Sequence, residues 1–125
     1  MTTEVLHIID EAMKEMNIPY AFLRYTKKPL PKCYFVGDYS EVQGFTEDGL
    51  QEATLHLTGY SRGSALALWE AQAKIKQHFP TVGQTFITPS GSGVAILYDT
   101  ALMLPTEDAD FQRIQINLQI KEWSV

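Results

Sequence analysis

Apolar residues recur every three or four positions in two segments of the chain, which is the spacing of one face of an α-helix. The first segment is 3–17, where Ile9 and Met13 lie on the apolar face. The second segment is 64–79, and Pro80 follows it directly. Because proline lacks an amide hydrogen and clashes with the preceding turn, Pro80 is expected to end this helix. The pattern therefore predicts two amphipathic helices.

Apolar and polar residues alternate in most of the other regular segments, and this spacing predicts β-strands with one face on a core. The expected strands are 20–26, 33–39, 51–60, 93–104 and 111–123. The strand at 93–104 is so rich in apolar residues that it is expected to be buried on both faces. The segment before it is predicted as a loop, with a short strand over 85–88 as an alternative.

The predicted order of elements is therefore α-β-β-β-α-β-β. Alternating strands joined by short turns favour antiparallel pairing, so we expect an α+β fold with a mostly antiparallel sheet and two main helices packed on it. The chain of 125 residues has no internal repeat, low-complexity segment or visible boundary. It is therefore predicted to form a single domain over 1–125.

Composition and charge exclude several classes of function. The chain carries 15 acidic and 10 basic residues, for a net charge of −5, and this balance argues against nucleic-acid binding. Its single cysteine, Cys33, cannot form an internal disulfide, which favours a reducing compartment. The first residues contain no basic leader, and the longest apolar run is too short to span a bilayer. We therefore expect a soluble cytosolic protein without a membrane partner.

One short motif suggests chemistry. The segment 59–63, GYSRG, matches G-x-S-x-G, the turn that carries the nucleophile of α/β-hydrolases. That turn follows a strand that is apolar on both faces, whereas the strand before Ser61 alternates. The only histidine after Ser61 is His78, and the only acid between them is Glu70. Both belong to the predicted second helix, too far along it to meet the serine.

The same motif is better interpreted as a structural turn. Gly59 and Gly63 permit backbone conformations that other residues resist. Ser61 or Ser64 is expected to cap the second helix by accepting hydrogen bonds from its free amides.

The remaining candidates for chemistry are isolated from one another. The three histidines lie on different elements without the spacing of metal ligands: His7, His56 and His78. Cys33 begins a strand with no histidine nearby and is interpreted as a small buried residue. The glycine-rich loop 89–93 precedes a strand, whereas a phosphate site needs a helix N-terminus. Asp99 is a lone acid in an apolar strand. We therefore expect no catalytic residue, cofactor site or metal site, and no enzymatic activity.

Charged residues are unevenly distributed along the chain. The link between the first two predicted strands is basic, with Arg24, Lys27, Lys28 and Lys32. The following stretch is acidic and includes Glu41, Phe45, Glu47 and Asp48, and the last hairpin turn adds Glu107, Asp108 and Asp110. Solvated loops explain this distribution as well as a head-to-tail contact does, in which a basic edge of one copy meets an acidic edge of the next. The aromatic ring at position 45 is expected either to fold back on the core or to anchor a partner.

The layout of the whole chain resembles a known family. The matching segments are EVLHIIDEAMKEM at the N-terminus, QEATLHLTGYSRG, the helix ALALWEAQAKIKQHF directly after it, and the closing hairpin VAILYDTALML…FQRIQINLQIKEW. In pattern and order they resemble the tail terminator proteins of long-tailed bacteriophages and prophages, which are also called tail-completion or head–tail joining proteins.

The resemblance implies a small α+β subunit in a sixfold ring at the head-proximal end of the tail tube. The ring would stop tube polymerisation, so the implied partners are other copies of the chain, the major tail tube protein and the head connector. No enzymatic chemistry, cofactor or membrane is implied, and the expected location is the host cytoplasm during assembly and then the virion tail. On this hypothesis the acidic loop 40–50 docks on the tube or on a neighbouring subunit.

Three alternatives remain open at this stage. Within the same class, the chain could be a head-completion or minor tail protein. The second alternative is a small serine hydrolase that uses Ser61, and the third is a ligand-binding module with the loop 89–93 as a lid.

Overall fold

A computed structural model of the chain describes residues 2–26, 28–41 and 50–123. The elements in chain order are α1 (Thr3–Glu15), β1 (Tyr20–Phe22), β2 (Cys33–Glu41), β3 (Leu50–Arg62), α2 (Leu66–His78), β4 (Gln84–Ile87), β5 (Gly93–Leu104) and β6 (Phe111–Trp123). The fold is α+β, as the sequence predicts.

All six strands belong to one sheet, in the order β1-β2-β3-β6-β5-β4. Its interior pairs, β2–β3, β3–β6 and β5–β6, are antiparallel, and so is β4–β5. β1 pairs with β2 in parallel, with Tyr20 beside Phe35, so the sheet is mixed. The parallel pair is possible because the link 23–32 is long enough to return along β2, whereas a tight turn joins only antiparallel strands.

The observed order of elements does not fully match the prediction. A strand, β4, lies between α2 and β5, where the predicted order has none. β4 nearly coincides with the short strand over 85–88 that the sequence suggests as an alternative. It pairs with β5, with Gln84 beside Ile96 and Ile87 beside Gly93. Its side chains are mostly exposed, so no alternation of apolar and polar residues announces it in the sequence.

Both helices pack on the same face of the sheet. The buried side chains of α1 and α2 belong to one cluster with inward-facing residues of the strands. Its fully buried members include Val5 and Ile9 of α1, Leu68 and Ile75 of α2, and Phe35, Leu55, Leu57, Ile96, Ile116 and Leu118 of the sheet. Each such side chain contributes about 1.5–3 kcal/mol when it leaves water, so this face is the principal source of stability.

The start of α1 is tied to the end of β6. Thr2 caps the helix, since its Oγ1 accepts a hydrogen bond from the amide of Val5 at 3.5 Å. The same hydroxyl donates to Oε2 of Glu122, a buried residue of β6, at 3.0 Å. This pair joins the first and last elements of the fold.

The expectation that 93–104 is buried on both faces is wrong. Val94, Ile96 and Tyr98 are buried, but the side chains from Asp99 onward are exposed or half-buried. The reason is that both helices pack on one face of the sheet, so among the described residues no helix covers the other face of β5. Asp99 lies at a β-bulge between Tyr98 and Thr100, where it projects into solvent, which explains a lone acid in an apolar strand.

Neither helix is long and apolar enough to cross a membrane, over the part of the chain that the structure describes.

Candidate docking surface

Ser61 is a buried residue of β3. It is 2% exposed, and its hydroxyl donates a hydrogen bond to the carbonyl of Ser64 at 2.8 Å. The expectation that Ser61 or Ser64 is the N-cap of α2 is wrong, because the N-cap is Ala65, which makes no side-chain capping hydrogen bond. Ser64 lies one residue earlier, and its Oγ accepts from the amide of Leu66 at 3.1 Å. His78 lies at the other end of α2, and a helix of 13 residues extends about 20 Å. The geometry of this turn is that of a structural connection.

The two glycines of the motif are required for different reasons. Gly63 has φ of 93°, in the left-handed region, and its amide donates to the carbonyl of Asp110 at 2.6 Å. Gly59 has no such conformation, but a Cβ there would lie 2.6 Å from ring atoms of Phe35. The interpretation of Gly59 as a source of backbone freedom is therefore wrong, since packing excludes a side chain at this position.

The face of the sheet opposite the helices carries a network of polar side chains that crosses four neighbouring strands. Ser40 of β2 lies 3.2 Å from Nε2 of His56 on β3, and Nδ1 of His56 lies 2.7 Å from Oδ1 of Asn117 on β6. Asn117 donates in turn to Oγ1 of Thr100 on β5 at 2.9 Å. Gln115 also donates to Oδ1 of Asn117, at 3.0 Å. These hydrogen bonds hold the side chains of the network in one arrangement.

An aromatic row lies on the same face, at the end of the sheet where α2 begins. The ring centroids of Tyr25 and Tyr34 are 5.1 Å apart, those of Tyr34 and Tyr60 are 5.2 Å apart, and those of Tyr60 and Phe111 are 5.7 Å apart. The guanidinium of Arg62 lies 5.7 Å from the Phe111 ring. Burial raises the pKa of the Tyr34 hydroxyl, and the neighbouring Tyr60 raises it further. This row was not identified from the sequence, because its members come from four different segments.

The basic link between β1 and β2 is held at this same end of the sheet. The carbonyl of Lys32 accepts from the amide of Arg62 at 3.0 Å, and Tyr25 packs on Tyr34. The exposed basic residues described here are Arg24, Lys28 and Lys32, while Lys27 lies outside the described residues.

The acidic residues predicted as partners of this link are placed elsewhere or are not described. Glu41 is the last residue of β2 and Lys32 directly precedes this strand. The two therefore lie at its opposite ends, roughly 30 Å apart at the rise of a β-strand. Phe45, Glu47 and Asp48 lie outside the described residues. The three described basic residues thus share one link, and Glu41 lies at the far end of β2 from Lys32.

Other features of the surface give little evidence for chemistry. In residues 2–26, 28–41 and 50–123, no three side chains of histidine, cysteine, aspartate or glutamate are grouped as a metal site requires. An open cleft of about 420 Å³ lies between the C-terminal ends of the helices, lined by Glu15, Asn17, Lys74 and His78 among others. Burial raises the pKa of the Cys33 thiol, which disfavours the reactive thiolate.

No model of a known protein family matches the chain. A comparison with curated proteins also finds no match.

Proposed function

We propose that the chain is a structural protein of a bacteriophage or prophage, a tail terminator that forms a ring on the head-proximal end of the tail tube. The proposal rests on the sequence resemblance described above. It is supported by one observation, that both helices cover the same face of the sheet. The opposite face, with the polar network and the aromatic row, is left for a partner.

A terminator needs a surface that binds the tube and a second surface that does not, so that further tube subunits find no partner. A sheet with helices on one face only has two unlike faces, which satisfies this requirement. Ring closure repeats one contact between copies, so modest contacts add to a stable assembly. The proposed partners are therefore other copies of the chain, the tail tube protein and the head connector.

Negative-stain images of the purified protein mixed with tail tubes test this proposal. Tubes should come from the phage or prophage that encodes the chain. We expect extra density at one end of each tube and none along its sides. Density on filled heads instead would favour the alternative of a head-completion protein, and density distributed along the tube would favour a minor tail protein.

The face of the sheet opposite the helices is called the uncovered face. A charge placed on it tests whether this face binds the tail tube. Thr58 lies on that face at the centre of β3, so Thr58→Lys should reduce the number of decorated tube ends. Gln77→Lys adds the same charge on an exposed position of α2 and serves as the control. Equal decoration by both variants would exclude the uncovered face from tube binding.

A further inference from the structure

The second half of β5 has an open edge. β4 pairs with β5 only from Gly93 to Ile96. Among the described residues, no strand pairs with Leu97–Leu104 on that side. The amide of Tyr98 donates to the carbonyl of Pro80 at 3.4 Å, so the open part of this edge begins at Asp99. A strand edge without a neighbour presents unpaired amides and carbonyls, which are a template for a further strand. Exposed apolar side chains lie near its end, with Leu102 at 55% and Met103 at 40%.

The middle and the last turn of α2 contact β5 at Tyr98, just before this open edge. Gln72 of α2 donates to the hydroxyl of Tyr98 on β5 at 3.1 Å, and Lys76 lies over the Tyr98 ring. Trp69 is one turn before Gln72 and so shares its face of the helix. Trp69 is 54% exposed, although it is one of the largest apolar side chains of the chain. An added strand would therefore gain backbone hydrogen bonds and apolar cover together.

On the opposite edge of the sheet, β1 lies at the same position along the strand direction as the open part of β5. β1 is the last strand on that side. Across the sheet, the register runs from Tyr20 through Phe35, Gly59 and Ile114 to Met103. Two residues further along β1, the corresponding path runs from Phe22 to Ala101. Tyr20–Phe22 and Ala101–Met103 thus occupy equal positions along the strand direction on opposite edges.

The strand directions are also compatible. β2, β3, β6 and β5 alternate in direction, and β1 runs parallel to β2. β1 therefore runs antiparallel to β5. If a second copy stands beside the first in the same orientation, its β1 meets the open edge of β5 as an antiparallel neighbour. Contacts at equal height permit a rotation without translation, which closes into a ring.

The charges favour this arrangement over a twofold one. The basic link that follows β1 lies at the Arg62 end of the sheet. The acidic turn that follows β5 lies at the same end, because Phe111 pairs with Arg62. This turn contains Glu107, Asp108 and Asp110. A side-by-side contact brings the basic link of one copy to the acidic turn of the next. An antiparallel twofold contact between two β5 edges would instead leave both basic links on the outer edges of the pair, away from either acidic turn.

We propose that β1 of one copy adds to the open half of β5 of the next, with Ala21 opposite Leu102 and the basic link against the acidic turn. The occupant of the β5 edge is thus a second copy of this chain. The inference rests on the proposed function in taking a ring of copies as the assembly. It assigns the contact to the last hairpin turn, which differs from the acidic loop 40–50 expected from the sequence.

Disulfide trapping between single-cysteine chains tests the contact. Opposed residues of antiparallel strands have Cα atoms about 4.5–5.5 Å apart, a distance that a disulfide spans. In a Cys33→Ser background, one chain carries Ala21→Cys and another carries Leu102→Cys. The control partner carries Ile87→Cys on β4, which lies on the same side of the sheet and is more exposed, at 74%. Circular dichroism verifies that each variant is folded.

We expect a heterodimer when the first two chains are mixed and oxidised, at a rate at least about tenfold above that with the control chain, because a formed contact raises the effective concentration. Neither chain should form a homodimer efficiently. Adding Lys28→Glu and Lys32→Glu to the Ala21→Cys chain should slow the reaction. Adding Glu107→Lys and Asp110→Lys to its partner should restore the rate, since the charges are then exchanged.

Two results would overturn the inference. Efficient homodimers of the Leu102→Cys chain would indicate a twofold contact between β5 edges. The absence of the heterodimer both in concentrated solution and on tail tubes would exclude the β1–β5 contact altogether. If the heterodimer is absent but tubes are capped, the proposed function stands and only the β1–β5 contact is wrong. If the heterodimer forms but tubes are not capped, the β1–β5 contact stands and the proposed function is wrong.

Discussion

Replacing Gly59 by alanine tests whether the motif around Ser61 is built for packing. A Cβ at this position would lie 2.6 Å from Cε2 and Cζ of Phe35 and 3.0 Å from Cγ2 of Ile114. Phe35 is fully buried and Ile114 is 1% exposed, so neither side chain has solvent into which it can move. The alanine must therefore displace atoms of the core.

The magnitude follows from two opposing effects. Overpacking of a core costs about 1–3 kcal/mol. Alanine also reduces the entropy of the unfolded chain, which offsets about 0.4–1 kcal/mol. Gly59→Ala should therefore lower the free energy of unfolding by about 1–2 kcal/mol. Phe35→Leu removes the ring atoms that clash, so in the double variant the alanine should cost about 1 kcal/mol less, which is a measurable coupling energy.

Urea unfolding followed by far-UV circular dichroism measures these differences. Gly93→Ala is the matched control, because a Cβ there meets only Cε3 of Trp123 at 3.8 Å, an ordinary contact. This control should be as stable as the wild type or slightly more stable. If Gly59→Ala were no less stable than Gly93→Ala, the packing explanation of the motif would be refuted.

Three further predictions concern single side chains. Ser61→Ala removes the hydrogen bond to the carbonyl of Ser64 and should lower the free energy of unfolding by about 1 kcal/mol in the same urea assay; unchanged stability would contradict a structural role. Burial, with smaller contributions from Asp10 and Asp38, raises the pKa of Tyr20 from 10.0 to about 12. The neutral phenol therefore stabilises the fold below pH 10, and this stabilisation is lost as the pH rises through 12. Tyr20→Phe should therefore lose less stability than the wild type in unfolding titrations between these pH values, and equal losses would contradict the burial of this hydroxyl. Asn117→Ala removes hydrogen bonds to His56 and Thr100 and should lower the free energy of unfolding by about 1–2 kcal/mol. Gln112→Ala breaks only an exposed hydrogen bond to the carbonyl of Ala109 and should lower it by less than about 0.5 kcal/mol. Equal losses would contradict a cooperative network.

The helices and long strands could be predicted because one buried face imposes a period on each of them. Ile9 and Met13 mark such a face on α1, and Leu55 and Leu57 mark one on β3. The helix ends agree with the prediction to within about two residues, the usual scatter of such boundaries. Local periodicity does not determine which strands pair, so the parallel β1–β2 pair could not be predicted. β4 has no buried face that would impose a period, so its presence could not be predicted in the same way.

The candidate surface was less predictable, because its parts lie far apart in the sequence. The apolar content of β5 was visible, but not that the edge of its second half is left open, since β4 begins only at Gln84 beside Ile96. The basic and acidic segments were visible too. Their positions on opposite edges of the sheet depend on a register that passes through four strand pairs, and single segments carry no information about it.

Tube elongation in the presence of the protein tests the central claim, that this chain acts by docking on an assembly of other subunits. Tail tube protein is allowed to polymerise with increasing amounts of the wild-type chain, and tube lengths are measured by electron microscopy over time. The account predicts that elongation stops when the protein is present at only a few copies per tube, with the protein at one end. Tubes that grow at the same rate and to the same length at every concentration of the protein would contradict it.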